Sequence, residues 1–411
     1  MENLKSKKSN ILLLALSLVL SLVLGACDGS SSNGNSSSNS GNNGDGSSSA
    51  AEELKIGVVA PLSGAGAAWG IAVQAGAEIA ADEINEQGGL EVNGVTHKVK
   101  VIPYDSEYTA QGVVTATNRL VNIDKVNFIV GPIESSGIVP MQEVTEPNKV
   151  IIMSDTFTPK ALSPEKPFTF RVEPTAEEMA GPMIRWMKEN YSELKTVAII
   201  SPNDETGWDM EEQINQAYVA EGYEIVDSIF YERGTQDFST ILSKLIQMQP
   251  DILELGGSSP GDSSLIVKQI KELGFKGQLV KIGGEATKEI LQVTGPEALE
   301  GFLHYTPTDP NEPGIAELTA KFEAKYNGVM PGTTTYFYDG THLLFQAIKE
   351  AGTTTDTEGV AQALRKIETF EGVLGKSFWT GMDSYGINQQ LMTSIYVGLF
   401  ENGQVTAVQV Q

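Results

Sequence analysis

This 411-residue chain has one cysteine, Cys27, so no disulfide can form within it. Its three histidines, His97, His304 and His342, are scattered and lack the spacing of a metal site. Basic residues are few, with 28 Lys and Arg against 53 Asp and Glu. A chain this acidic lacks the basic patches that hold nucleic acid or anionic lipid. It contains no H-E-x-x-H helix and no cysteine pair. Carboxylate pairs are too common here for any one to signal acid–base chemistry. The expectation is a non-enzyme without metal or cofactor. No apolar run reaches the roughly twenty residues of a confident membrane span; the longest candidate, residues 11–24, is interrupted by serines.

That short run is nonetheless informative. It follows Lys5, Lys7 and Lys8 and ends at Gly25-Ala26-Cys27, the layout of a secretory signal. Leu24-Gly25-Ala26-Cys27 resembles the lipobox of bacterial lipoproteins, in which the cysteine is lipidated and becomes the N-terminus. Residues 1–26 are therefore expected to be a signal peptide and Cys27 a lipid anchor. Residues 27–52, almost all Ser, Gly and Asn, hold nothing that could build a core. They are expected to be a tether reaching about 25–30 Å. Without residues 1–26 the chain keeps 25 basic and 52 acidic residues. It is expected outside the cell membrane, attached through lipid only.

The rest of the chain exceeds what one core usually organises, so two lobes are expected. Short β-branched runs at 54–60, 99–104, 127–130 and 150–153 alternate with helical patterns at 71–86, 110–123 and 137–146. That alternation predicts a parallel sheet covered by helices on both faces. The rhythm restarts after a strand at 168–172. Strands are then predicted at 196–201, 223–230, 251–255 and 278–282, with helices at 176–190, 210–221, 238–247 and 263–273. A helical block follows at 314–326, 335–351 and 358–367, and the chain ends in a hairpin, 394–400 with 404–410. Helices after two complete α/β units suggest that the chain crosses back between lobes.

Chemistry is concentrated in the strand-end loops. Ser63-Gly64-Ala65-Gly66-Ala67-Ala68-Trp69-Gly70 looks like a dinucleotide loop, but Trp69 stands at the third glycine and the acidic partner is misplaced. What survives is close backbone approach where α/β sheets bind ligands. Trp69 either projects into that crevice or packs on the first helix. In Gly131-Pro132-Ile133-Glu134-Ser135-Ser136-Gly137, Ser135 or Ser136 caps the next helix, or helps its free N–H groups hold a carboxylate. Ser154-Asp155-Thr156-Phe157-Thr158-Pro159, Gly256-Gly257-Ser258-Ser259-Pro260 and Gly283-Gly284-Glu285 close other strands with similar resources. Such loops form a binding pattern rather than a catalytic one.

These residues place the chain beside a known family. Ala60-Pro61-Leu62-Ser63-Gly64, Ala81-Asp82-Glu83-Ile84-Asn85 with Gly88-Gly89, and Gly131-Pro132 before Ser135-Ser136 carry the likeness. So do Asp237-Phe238-Ser239, Gly283-Gly284-Glu285, Tyr338-Asp339-Gly340 and Phe370-Glu371-Gly372. Residues 54 to about 400 resemble the leucine/isoleucine/valine-binding solute-binding proteins of ABC importers. The resemblance implies the type I periplasmic-binding fold: two doubly wound α/β lobes joined by a three-crossover hinge. Lobe 1 would hold 54–172 and 308–387, lobe 2 would hold 173–307 and 388–411, and closure would trap a small molecule. By similarity, Ser135 and the Thr156-Phe157 loop would hold an amino-acid carboxylate, Glu285 the ammonium, and Trp69 would cover the side chain. ABC permease subunits would be the protein partners. Asp155 departs from the pattern: it stands where small neutral residues are usual, and either meets the ligand or caps its own turn. Thr206 and Ser258 occupy aromatic positions. An aromatic acid, an amide or a sensory role for the same fold are the alternatives.

Overall fold

The computed structural model describes residues 52–411. The expected signal peptide, the expected anchor at Cys27 and the expected tether up to residue 51 lie outside the described residues. In the first part of the chain, strands β1 (Glu52–Ala60), β2 (Leu90–Val92), β3 (Val95–Asp105), β4 (Phe128–Val130), β5 (Ile151–Ser154) and β6 (Thr169–Arg171) enter one sheet. A second sheet takes β7 (Thr196–Pro202), β8 (Glu224–Tyr231), β9 (Ile252–Glu254), β10 (Gln278–Lys281) and β11 (Phe302–Thr306). The chain then returns. Strands β12 (Phe370–Gly372), β13 (Gly375–Thr380) and β14 (Gln390–Met392) extend the first sheet, and β15 (Tyr396–Glu401) and β16 (Gln404–Gln409) extend the second.

The first sheet runs β12-β13-β14-β6-β5-β4-β1-β3-β2, and the second β16-β15-β11-β10-β9-β7-β8. Both are parallel at their centres and antiparallel only toward their edges. Central strands such as Phe128–Val130 and Ile151–Ser154 are buried on both faces, as helix-covered parallel strands must be. The expected two-lobed α/β architecture is the one observed.

Several elements depart from expectation. β11 is buried along its whole length, so it has no in–out alternation to reveal it. The first turn of several helices lies further upstream than the apolar period indicates, because polar residues form it: Asp204 caps Glu205–Ala220, and Ser259 caps Pro260–Glu272. The returning tail contains the three helices Pro313–Tyr326, Thr334–Ala351 and Thr357–Lys366, but also strands β12 to β14. β14 pairs with β6 and β13, so residues 388–392 lie with the first sheet and not, as expected, with the second. The amide of Gln390 reinforces that placement by donating to the Glu173 carbonyl at 2.7 Å.

In each sheet the order reverses beside the first strand of its unit. β1 lies between β3 and β4, and β7 lies between β8 and β9. Crevices open at the carboxyl ends of strands at such points, and open α/β sheets bind ligands there.

Candidate functional site

A cavity with about 390 Å³ of unfilled space lies between the carboxyl ends of the two sheets. The first lobe supplies Trp69 after β1, Tyr108 after β3, Ile133 after β4, Asp155 and Phe157 after β5, and Thr333 and Phe337 around the start of Thr334–Ala351. The second lobe supplies Thr206 and Met210 after β7, Gly257 after β9 and Gly284 after β10. The lining is thus mostly apolar, with polar groups confined to a few positions.

Trp69 occupies the first turn of Ala67–Glu86, where it lines the cavity and is also buried in the core. Its indole N–H crosses to the other lobe and donates to the Glu285 carbonyl at 3.2 Å. Gly284 makes this approach possible. Its φ is +56°, and a Cβ there would lie 2.9 Å from Trp69 Cζ2. Rim contacts also join the lobes. The Arg233 guanidinium stacks 4.4 Å from the Tyr108 ring centre and is held by Asp204 at 2.7 and 3.1 Å. Lys160 reaches Glu205 at 2.7 Å on the surface.

The Ser135 loop is arranged by Gly131, whose φ is +92° and whose Cβ would collide with the Val59 carbonyl. Helix Ser135–Thr145 follows, but neither serine caps it; the N-cap is Glu134, without a side-chain cap bond. Ser135 instead spans the cleft. Its amide donates to Thr206 Oγ1 at 3.4 Å, and its hydroxyl accepts from the Phe157 amide at 3.1 Å. Ser136 is not part of the cavity wall. The buried Thr156 hydroxyl has no partner. Burial pushes the neighbouring Glu134 carboxyl up to about 7, despite hydrogen bonds from Ser106 and the Ile133 amide.

Asp155 lines the cavity and does not cap its turn; its amide donates to the Pro132 carbonyl, and its carboxyl faces Glu173 within hydrogen-bond reach. Glu285 differs. Its carboxylate accepts from the Thr287 amide at 2.8 Å, lies 4.0 Å from His304 Nδ1 and faces a neighbouring cavity of about 450 Å³. Only its backbone carbonyl reaches the cleft wall, through Trp69. The ammonium role expected for the Glu285 side chain is therefore not supported by its placement: the turn at Gly283-Gly284 directs the side chain past the cleft. Burial pushes His304 down to about 4, although the Glu285 carboxylate pulls the other way. Ser258 lies behind Gly257, where its carbonyl holds the buried Lys281 ammonium at 2.8 Å. Burial pushes that lysine down to about 8.

Tyr108, Ile133, Met210, Thr333 and Phe337 were not anticipated. Tyr108 and Ile133 follow strand ends, and that position is the one signal that could have found them; Met210, Thr333 and Phe337 lie in or beside helices and carried none. Among the described residues no group of acidic, histidine or cysteine side chains could hold a metal ion. No helix there is long and apolar enough to cross a membrane.

Residues 53–404 match the model of the periplasmic binding protein family. The chain belongs to that family. A Leu/Ile/Val-binding protein homologue of Brucella abortus is 30% identical over 341 residues, covering 80% of this chain and 86% of its own. A leucine-binding protein crystal structure from Thermotoga maritima superimposes with a TM-score of 0.75 at 24% identity, over 87% of this chain and 99% of the other. A benzoate-bound ABC-transporter solute-binding protein from R. palustris also reaches 0.75, at 16% identity over 87% and 96% of the two chains. This periplasmic binding protein is a solute-binding protein and not an enzyme. Its family is one of extracytoplasmic proteins that bind small molecules.

Proposed function

We propose that this protein captures a hydrophobic amino acid, of the leucine, isoleucine and valine class, between its lobes for import. One observation carries the reading: an interlobe cavity combines the apolar walls Trp69, Ile133, Phe157, Met210 and Phe337 with the polar side chains of Asp155, Thr206 and Thr333. An aliphatic side chain fits the first, and burying one of leucine size is worth about 1.5–3 kcal/mol. A carboxylate would be held by the nearby Thr156 and Ser135 hydroxyls, the Phe157 amide being already given to Ser135 Oγ. The helix beginning at Ser135 adds its positive end. Hinge closure then brings Thr206, Met210 and Gly284 over the ligand. Cys27 would carry a lipid that keeps the protein at the outer membrane surface near its permease.

A thermal-shift screen of leucine, isoleucine, valine, alanine and benzoate tests the ligand class. A ligand at 100 times its Kd adds about 2.7 kcal/mol of stability. Stabilisation by the branched-chain amino acids is expected; stabilisation by benzoate alone would replace this reading with an aromatic acid. Labelling cells with a fatty acid tests the anchor. Label on the parent and none on Cys27→Ala is expected, and equal labelling of both would refute lipidation at that cysteine.

A further inference from the structure

At the cavity wall around Asp155 lies a pair of carboxyl groups without a counter-ion. Glu173 is fully buried, just past β6 where the chain leaves the first sheet. Among the described residues no N–H or hydroxyl donates to either of its side-chain oxygens. The group within hydrogen-bond reach is the Asp155 carboxyl, which lines the cavity. Two carboxyls that meet this way hold a proton between them, since two buried anions in contact repel strongly.

No cation forms an ion pair with either carboxyl among the described residues, although the Arg171 charge favours ionised Asp155 and the Lys281 charge ionised Glu173. Arg171 on β6 donates to the Thr158 carbonyl at 2.9 Å and to Tyr385 at 3.3 Å. Lys281 at the end of β10 is spent on the Ser258 carbonyl. Glu285 adds a further negative charge, and Tyr336 faces the pair as a neutral phenol. The cavity wall at Asp155 therefore contains a proton where a cation could stand. Resting on the amino-acid reading above, we infer that Asp155, backed by Glu173, is the ammonium-binding subsite, and that the arriving ammonium displaces the shared proton. The step balances: the R–NH₃⁺ group enters, the carboxyl pair becomes doubly ionised, and one H⁺ leaves to solvent. Burial raises both carboxyls above their ordinary range, and Asp155 beside it raises Glu173 further.

The sign of the pH dependence follows. The ammonium stabilises the ionised pair, so affinity rises as pH rises through the range in which the empty pair still holds its proton. A protonated Asp155 that donated to a ligand carboxylate would give the opposite slope. The test is calorimetry with L-leucine and with 4-methylpentanoate, which is leucine without its amine, from pH 5 to 8. Phosphate and Tris buffers, which differ in ionisation enthalpy, report the proton. Leucine should release a proton on binding where the empty pair still holds one, and bind more tightly as pH rises through that range. In Asp155→Asn, the ratio of leucine to 4-methylpentanoate affinity should fall at least about tenfold. Glu173→Gln should bind leucine with little proton release. If leucine binds the parent without buffer dependence, or with affinity falling as pH rises, the subsite is wrong while the amino-acid reading stands. If 4-methylpentanoate binds and none of leucine, alanine or lysine does, both are wrong.

Discussion

The wall of the cleft contributed by the first lobe contains polar groups with nothing to bind: the Thr156 hydroxyl has no partner, and the Asp155–Glu173 pair meets only itself. On the second wall each charged group holds at least one partner, although one Glu285 carboxylate oxygen and the Ser258 hydroxyl have none among the described residues. Arg233 is clamped by Asp204, Lys281 by the Ser258 carbonyl, and Glu285 by the Thr287 amide. Buried polar groups without partners cost about 1–3 kcal/mol each, and a ligand that satisfies them recovers that cost. The difference assigns recognition to the first lobe and closure to the second. Met210, Gly257 and Gly284 contribute surface and close backbone approach more than charge.

Removing apolar surface from the recognising wall should have the largest of three effects. Trp69→Ala should weaken leucine by about ten- to a hundredfold, because the indole supplies one broad wall and an interlobe hydrogen bond. Titration followed by tryptophan fluorescence reads it, and an affinity unchanged within twofold would place Trp69 outside recognition.

A contrast within the first lobe sharpens the point. On the side away from the cleft, Glu83 accepts from Lys321 at 2.8 Å, Tyr338 at 2.8 Å and His342 at 3.1 Å, and so joins Ala67–Glu86 to the two helices Pro313–Tyr326 and Thr334–Ala351. Burial alone would raise this carboxyl, but the hydrogen bonds from His342, Lys321 and Tyr338 overcome it and hold the group at about 2. Its contribution to stability is complete above the unfolded value near 4.5 and is lost as pH falls from there toward 2. Glu83→Gln should cost about 1–2 kcal/mol at pH 7, after discounting for partial solvent screening. It should also flatten acid unfolding over that window without altering leucine affinity. Denaturant titrations at pH 7 and 3 check both, and an equal loss at the two pH values would contradict the charge argument.

The smallest effect is expected where the walls meet in solvent. Lys160 and Glu205 bridge the lobes at 2.7 Å, but the lysine side chain is 64% exposed. Exposed pairs contribute about 0–1 kcal/mol. Lys160→Ala should therefore change leucine affinity by less than about fivefold at low salt, and less at high salt. Calorimetry at two ionic strengths reads this; a larger, salt-independent loss would mean that closure depends on the rim.

Much of this site was legible from strand-end loops alone. Trp69, Ser135, Asp155, Phe157 and Thr206 all follow predicted strands, and all reach the cleft or bridge it. What could not be read is side-chain direction. Glu285 sits in the right loop, yet only its carbonyl faces the cavity wall, because the positive-φ turn at Gly283 and Gly284 sets where the side chain goes. Met210 and Phe337 were missed because an apolar residue in a helix looks the same whether it faces a core or a cavity. Glu173 gave no sign in a chain with 53 acidic residues; its significance appears only once β5 and β6 bring it against Asp155.

The account's central claim is that recognition belongs to the first wall, and the most direct measurement compares its carboxylate with that of the second. Leucine should be titrated calorimetrically into the parent, Asp155→Ala and Glu285→Ala under identical conditions at pH 7. A desolvated ammonium deprived of its partner loses about 2–5 kcal/mol. The account predicts a loss of about thirtyfold or more at Asp155 and less than about threefold at Glu285. A large loss at Glu285 with Asp155→Ala near the parent would contradict it.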